Sequence, residues 1–204
     1  MKIDQMKKNI NKIIVGLFII ASLNSCIKQI DKTFTGKTVV EIDPTVLNSS
    51  NSVAGYPVIS RIPVSGRPAL TTDSTLRRLN NRTVQIRINL VGSQSESDRT
   101  VGYKIITTSP LTTFSFPATA TGQSPSAAAA TLNVSSAISG THYRLVEGLC
   151  TIPARSSFGF IDVSILPSSP NPGQARFLGI QLDSSGSVLP NPNFNKIGLI
   201  IDQR

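Results

Sequence analysis

The chain has 204 residues, with 20 Lys and Arg against 11 Asp and Glu for a net charge of +9, two cysteines, one histidine and no tryptophan. That length holds one domain and a leader, two cysteines cannot staple a disulfide-dense scaffold, and one histidine leaves a serine or cysteine hydrolase a single choice of imidazole base. A basic chain invites nucleic acid as a first thought, but no recognition helix or aromatic RNA-binding motif accompanies the charge, so nucleic acid is not an expected partner.

The first segment in chain order is a leader. Lys2, Lys7, Lys8 and Lys12 precede an apolar run from Ile13 to Leu23, which small and polar residues follow up to Cys26. A membrane-crossing helix needs about 20 apolar residues, so the run is too short for a permanent span and reads as an export signal over residues 1–25. Leu23-Asn24-Ser25-Cys26 resembles a bacterial lipobox. In such signals the cysteine becomes the first mature residue and carries acyl chains, palmitate among them, each buried methylene contributing about 0.8 kcal/mol of membrane affinity. Cys26 is thus the expected lipidation site, and Ile27 stands where some inner-membrane lipoproteins carry a retaining aspartate. The expected location is the cell envelope, as an outer-membrane lipoprotein facing either the periplasm or the outside. Loss of the leader, with four Lys and one Asp, lowers the charge from +9 to +6. With Cys26 acylated, Cys150 has no intrachain disulfide partner. Anionic lipid headgroups, acidic glycans or an outer-membrane protein are the accessible partners.

Residues 26–38 are polar and without periodicity, as a spacer would be. Residues 39–82 read as N-terminal edge strands and loops. A strand is expected at Val39 to Ile42, Pro57, Pro63 and Pro68 confine their neighbourhood to sheet edges, and Leu76 to Asn81 reads as a short turn. From Thr83 to residue 204 the strand signals are clear. In Thr83 to Val91, Val84, Ile86, Ile88 and Leu90 alternate with Gln85, Arg87 and Asn89, the period of a strand with one buried and one wet face. A polar turn at 92–98 leads to Val101 to Ile106, then to β runs at Thr113 to Phe116 and Thr131 to Ser135, with a brief helical turn conceivable at Ala127 to Ala130. Further strands are expected at Tyr143 to Leu145, Leu149 to Ile152, Phe158 to Leu166, Phe177 to Leu182 and Ile197 to Ile201. This succession of short strands and turns, with no amphipathic helix, is the pattern of an all-β, immunoglobulin-like Greek-key sandwich, with a barrel as the alternative.

Gly140-Thr141-His142-Tyr143, the run Cys150-Thr151-Ile152-Pro153-Ala154-Arg155-Ser156-Ser157 and the alternating Ile161-Asp162-Val163-Ser164-Ile165 together resemble Calx-beta-type domains. Their pattern runs G-x-D-Y, I-P-A-G-x-S-S and I-x-V-x-I. The leader, Thr35-Gly36, Val40-Glu41 and the Leu189-Pro190-Asn191-Pro192-Asn193 segment look like Bacteroidota lipoproteins built on such a module. The resemblance implies an immunoglobulin-like envelope module of the kind found in adhesion and glycan uptake. Calcium is not implied, because the hard dication gathers six to eight oxygens, several of them charged. Here the segment PSSPNPGQAR after Leu166 holds no acid, and His142 stands at the usual Asp.

No catalytic constellation is apparent and no cofactor or metal is expected. Cys150 reads as a small apolar side chain in a strand, His142 as a loop or strand-entry residue, and Glu41, Glu96 and Glu147 as unrelated carboxylates rather than a glycosidase pair. For binding there are three pointers. Arg77, Arg78, Arg82 and Arg87 form either a solvated face or an anion-binding patch. Tyr56, Tyr103 and Phe158 or Phe160 offer aromatic area for sugar stacking. Asp73-Ser74-Thr75 resembles the short O-glycosylation acceptor motif of Bacteroidota, with Ser74 as the acceptor. Two classes of function remain: a non-catalytic interaction module, adhesive or accessory to glycan uptake, and a structural envelope lipoprotein working through protein contacts.

Overall fold

Alternation of apolar and polar side chains drives most of this chain into strands. The computed structural model describes residues 36–43, 50–51, 53–78, 82–119, 121–122, 126–145 and 148–204. Residues 1–35, including Cys26, lie outside the described residues, as does Glu147. Among the described residues twelve strands follow one another: β1 (Val39–Ile42), β2 (Ser50–Asn51), β3 (Tyr56–Ile59), β4 (Arg82–Val91), β5 (Arg99–Ile106), β6 (Thr113–Phe116), β7 (Ala130–Ser136), β8 (Tyr143–Arg144), β9 (Gly148–Ile152), β10 (Phe158–Ile165), β11 (Gln174–Asp183) and β12 (Lys196–Asp202). No helix occurs among the described residues, and Ala127 to Ala129 have no regular structure before β7 begins.

The smaller sheet has the order β1-β4-β10-β8 and the larger one β2-β3-β12-β11-β5-β9, with β7 and β6 joined to β11. Successive strands repeatedly change sheet, as from β4 to β5 and from β9 to β10, so the two layers are interlocked by the chain itself. This is an all-β, immunoglobulin-like sandwich. The far edge of β11 is shared: residues 174–177 pair with β7 in parallel and residues 179–183 pair with β5 antiparallel.

Between the sheets lies a core of Val40, Ile86, Ile88, Ile161, Val163, Ile165, Leu178, Ile180, Ile197 and Leu199, among others. A second cluster forms on the opposite face of the larger sheet, where Val58, Leu111, Phe116, Leu132, Phe177 and Ile200 pack together. β11 and β12 are consequently buried on both faces. Phe177 needs special accommodation there. Gly179 and Gly198 are cross-strand partners, and the Phe177 ring lies over both, so a Cβ on Gly198 would meet it at 2.6 Å.

β1 is an edge strand of the smaller sheet, and Val40, Ile42, Ile59 and Leu76 nevertheless belong to the same buried cluster as the strands after Thr83. Of the segment read as a turn, Leu76 is 1% exposed and residues 79–81 lie outside the described residues. One sequence expectation is corrected. β3 lies between β2 and β12 rather than at an edge, and Pro57 is tolerated because it faces only the two-residue β2. One turn departs from the usual residue preferences. Arg155 has φ 59°, the left-handed region in which glycine is normally found, and it stands where the Calx-beta pattern has its glycine.

Candidate functional site

The outer face of the smaller sheet is built from the wet positions of its strands. Because side chains alternate across a strand, burial of Val84, Ile86, Ile88 and Leu90 turns Gln85, Arg87 and Asn89 outward, and burial of Ile161, Val163 and Ile165 does the same for Phe158, Phe160 and Asp162. The register then sets the neighbours. Phe158 pairs with Asn89, Phe160 with Arg87 and Asp162 with Gln85, while Glu41 of β1 pairs with Asn89 on its other side.

Two phenylalanine rings therefore stand on a sheet face among amides and charges. Phe158 is 38% exposed, and its ring lies 5.6 Å from that of Phe160, centroid to centroid, at 71°. The Arg87 guanidinium sits 4.3 Å from the Phe158 centroid, a cation–π arrangement that holds the ring in place. The Gln85 amide donates to Asp162 at 3.0 Å, and the Asn191 amide donates to Glu41 at 3.0 Å. Two polar atoms have no partner: Arg87 Nε and Asn89 Oδ1 are both covered and unbonded. Unmet donors and acceptors are uncommon in folded proteins and ask for an explanation. Beside this face, a shallow depression with room for about one water molecule lies between Asp43, Pro63, Ser65, Gln85 and Arg87.

The arrangement offers stacking area, fixed hydrogen-bonding groups and no paired acid and base. Glu41 is occupied by Asn191, and Glu96 forms an exposed ion pair with Arg155 at 2.7 Å. Cys150 lies in the main core, where burial pushes its thiol up to about 11. His142 is buried, and its Nδ1 accepts the Ile138 N–H at 2.9 Å. Burial, and then the charge of Arg176, lowers its pKa. Among the described residues no three His, Cys, Asp or Glu side chains gather as metal ligands would.

The four arginines singled out in the sequence do separate jobs. Arg77 is buried, with Nε 3.8 Å from an Asp202 oxygen and Nη2 donating to the Arg204 carbonyl at 2.8 Å. Arg78 donates to the carbonyls of Gln203 and Ser168, both at 3.0 Å. Arg82 is exposed at the start of β4, and Arg87 alone belongs to the aromatic face. They do not form one anion-binding patch, because Arg77 and Arg78 turn inward onto the last residues of β12 and beyond. Tyr103 is buried in the main core and Tyr56 is half-buried against the second cluster, its phenol pKa raised by burial, so neither joins Phe158. Ser74 is half-buried, and its carbonyl accepts the Ile62 N–H at 2.9 Å. Its neighbour Asp73 is clamped by Arg67 at 2.5 and 2.8 Å. Asn89 was missed as a site residue. Its signal, the wet side of the best alternating strand, is in the sequence, but its position opposite Phe158 depends on a register that no local pattern encodes.

No family model matches the sequence, and no curated protein matches it. Among solved structures, the chain is similar to the apo form of the Calx CBD1 domain, with 10% identity and a TM-score of 0.42 over 82% of this chain and 99% of that one. It is also similar to a candidate carbohydrate binding protein from Bacteroides ovatus, with 12% identity and a TM-score of 0.39 over 62% of this chain and 33% of that one.

Proposed function

We propose that the protein is a non-catalytic carbohydrate-binding module of the cell envelope, adhesive or accessory to glycan uptake, held to the outer membrane by acyl chains on Cys26. The observation that carries the binding part is the pair of Phe158 and Phe160 rings on an outward sheet face, flanked in register by Asn89 and Arg87. A pyranose ring presents an apolar C–H face to an aromatic ring and hydroxyls at its rim, which suits rings bordered by polar side chains. Gln85 and Asp162 extend the polar strip along the same face.

The membrane part rests on the order of basic, apolar and small residues that ends at Cys26. Intact-mass measurement of the membrane fraction tests it directly. An acylated Cys26 supports the tether, and a free thiol there removes it.

Binding is tested with a glycan array and then by titration calorimetry of the best neutral oligosaccharide. Phe158→Ala is expected to weaken binding by about three- to tenfold, in line with one aromatic stacking contact of about 0.5–1.5 kcal/mol. Asn89→Ala is expected to weaken it by a smaller factor with little change in melting temperature. Absence of any glycan signal, together with co-purification of an outer-membrane protein through this face, would replace the carbohydrate reading with one of protein contacts.

A further inference from the structure

The outer face of the smaller sheet is ordered in rows. Side chains two apart on a strand point the same way, and the register of β10 on β4 sets Phe158 beside Asn89, Phe160 beside Arg87, Asp162 beside Gln85 and Ser164 beside Thr83. These residues are half-buried or exposed, while those between them, Val84, Ile86, Ile88, Ile161 and Val163 among them, lie in the core. The edge strands extend two of the rows, with Glu41 of β1 opposite Asn89 and Arg144 of β8 opposite Ser164. Phe158 and Ser164 stand near the two ends of the eight-residue β10, about 20 Å apart at the rise of an extended strand.

The rows change character along the strip. The phenyl rings belong to the Asn89 and Arg87 rows, whereas the Gln85 and Thr83 rows carry an amide, a carboxylate and two hydroxyls. Asp162 accepts one bond from the Gln85 amide at 3.0 Å, and both groups have hydrogen-bonding capacity beyond it, the carboxylate as an acceptor and the amide as donor and acceptor. Charge is mixed from end to end. Glu41 accepts the Asn191 amide, Arg87 lies over the Phe158 ring, and Asp162 separates Arg87 from Arg144. A polyanion laid along the strip would meet two carboxylates as well as two guanidinium groups, and like charges set together oppose binding. The strip therefore matches an uncharged ligand in sign and an elongated one in shape.

We propose that this face takes a neutral, linear glycan lengthwise along β4 and β10, the 20 Å of strand accommodating about four sugar units. One unit stacks at Phe158 and Phe160, and the others exchange hydrogen bonds with Gln85, Asp162, Thr83 and Ser164. The proposal rests on the carbohydrate reading of this face and goes beyond it by fixing the ligand as a stretch of uncharged chain rather than a single sugar. It also divides the labour between the rows. The ring end sets the affinity of a short ligand, and the polar end contributes only once the chain is long enough to reach it.

The full chain is titrated by calorimetry with cello-, xylo-, manno-, laminari- and malto-oligosaccharides of two, four and six units, short ligands being read by displacement of the six-unit one, and with heparin and polygalacturonate at low salt. In at least one neutral series affinity is expected to rise about tenfold from two to four units, the yield of a few added hydrogen bonds, and by less than about twofold from four to six. Gln85→Ala combined with Asp162→Ala is expected to cut the four-to-two ratio to about twofold or less. Both residues are exposed, so the melting temperature of that variant is expected to match the parent. Phe158→Ala is expected to weaken both lengths by a similar factor. Affinity already complete at two units overturns the proposal and leaves the carbohydrate reading standing, as does an equal loss of two- and four-unit binding in the double variant, or tighter binding of either polyanion than of every neutral series. Binding of no neutral series overturns the proposal and the carbohydrate reading together. A dimer of the full chain that Phe158→Ala dissolves does the same, because a second copy would then occupy the face.

Discussion

Asp73 shows how one side chain can hold a long loop. Its carboxylate takes two hydrogen bonds from Arg67 and one from the Leu70 N–H, and these interactions, the Arg67 bond foremost, lower its pKa to about 2. A carboxyl depressed in the folded state contributes stability above its unfolded value of 3.8, and that contribution is lost as pH falls toward 2. Asp73→Asn is expected to lower stability at pH 7 by about 1 kcal/mol, a figure reduced because Arg67 is partly in solvent, and the difference is expected to shrink below pH 3.8 and to be mostly lost at pH 2 in urea titrations. His142 acts earlier in the acid range. Its lowered pKa, from burial first, means the unfolded chain binds its proton more readily, so stability present above pH 6.5 declines below it. Cys150 has the opposite sense, its raised pKa favouring the thiol. At pH 8 iodoacetamide is expected to label native Cys150 at least about a hundredfold more slowly than the unfolded chain, because the thiolate is scarce and covered. Fast native labelling would show that β9 opens. The buried character of Cys150 was legible from its apolar strand neighbours. The Arg67–Asp73 clamp was not, because nothing in local periodicity marks a bond across a loop.

At the level of strands, alternation made β4 and β10 readable almost to the residue, since each has one face in the core and one in water. β11 and β12 followed a different rule. Leu178, Ile180 and Leu182 were legible as inward residues, but Phe177 and Ile200 on the opposite faces are just as buried, because side chains of β3, β6 and β7 close over them. That second cluster is set by contacts between segments far apart in sequence, so the pattern within β11 announced only half of its burial. The glycines carry the missing information. Gly179 and Gly198 face each other across the ladder and leave a trough for the Phe177 ring. Gly198→Ala is expected to destabilise by about 2–3 kcal/mol, the range for an extra methyl forced into a packed site. In a Phe177→Leu background the same substitution is expected to be much milder. Additive losses in that double-mutant cycle, measured by denaturant titration, would show that the ring does not need the trough.

For the molecule as a whole, the decisive closure joins residues 76–78 to the end of β12. Asp202 is fully buried; its N–H donates to the Leu76 carbonyl at 2.9 Å, and its own carbonyl accepts the Arg78 N–H at 3.1 Å. Its carboxylate receives Arg204 through Nε at 3.0 Å and faces Arg77, whose side chain is 3% exposed. Two segments more than a hundred residues apart are thus latched by charge, a closure no local pattern marks, which is why the sequence offered Arg77 as a surface cation. Burial disfavours the charged Arg77, and Asp202 opposes that effect. Breaking one side of such a pair leaves a buried charge uncompensated, at a loss of about 3–5 kcal/mol, whereas replacing both sides by apolar residues is often near neutral. Asp202→Asn, which keeps the shape and removes the charge, is therefore expected to destabilise the sandwich by about 3 kcal/mol. Arg77→Met combined with Asp202→Leu is expected to recover part of that loss, short of parity because Arg204 also gives up its partner. Urea titration of the four proteins checks both expectations. If Asp202→Asn were within about 0.5 kcal/mol of the parent, the latch would be held by its backbone hydrogen bonds and the packing of Leu76, and the buried ion pair would be a consequence of the closure rather than its cause.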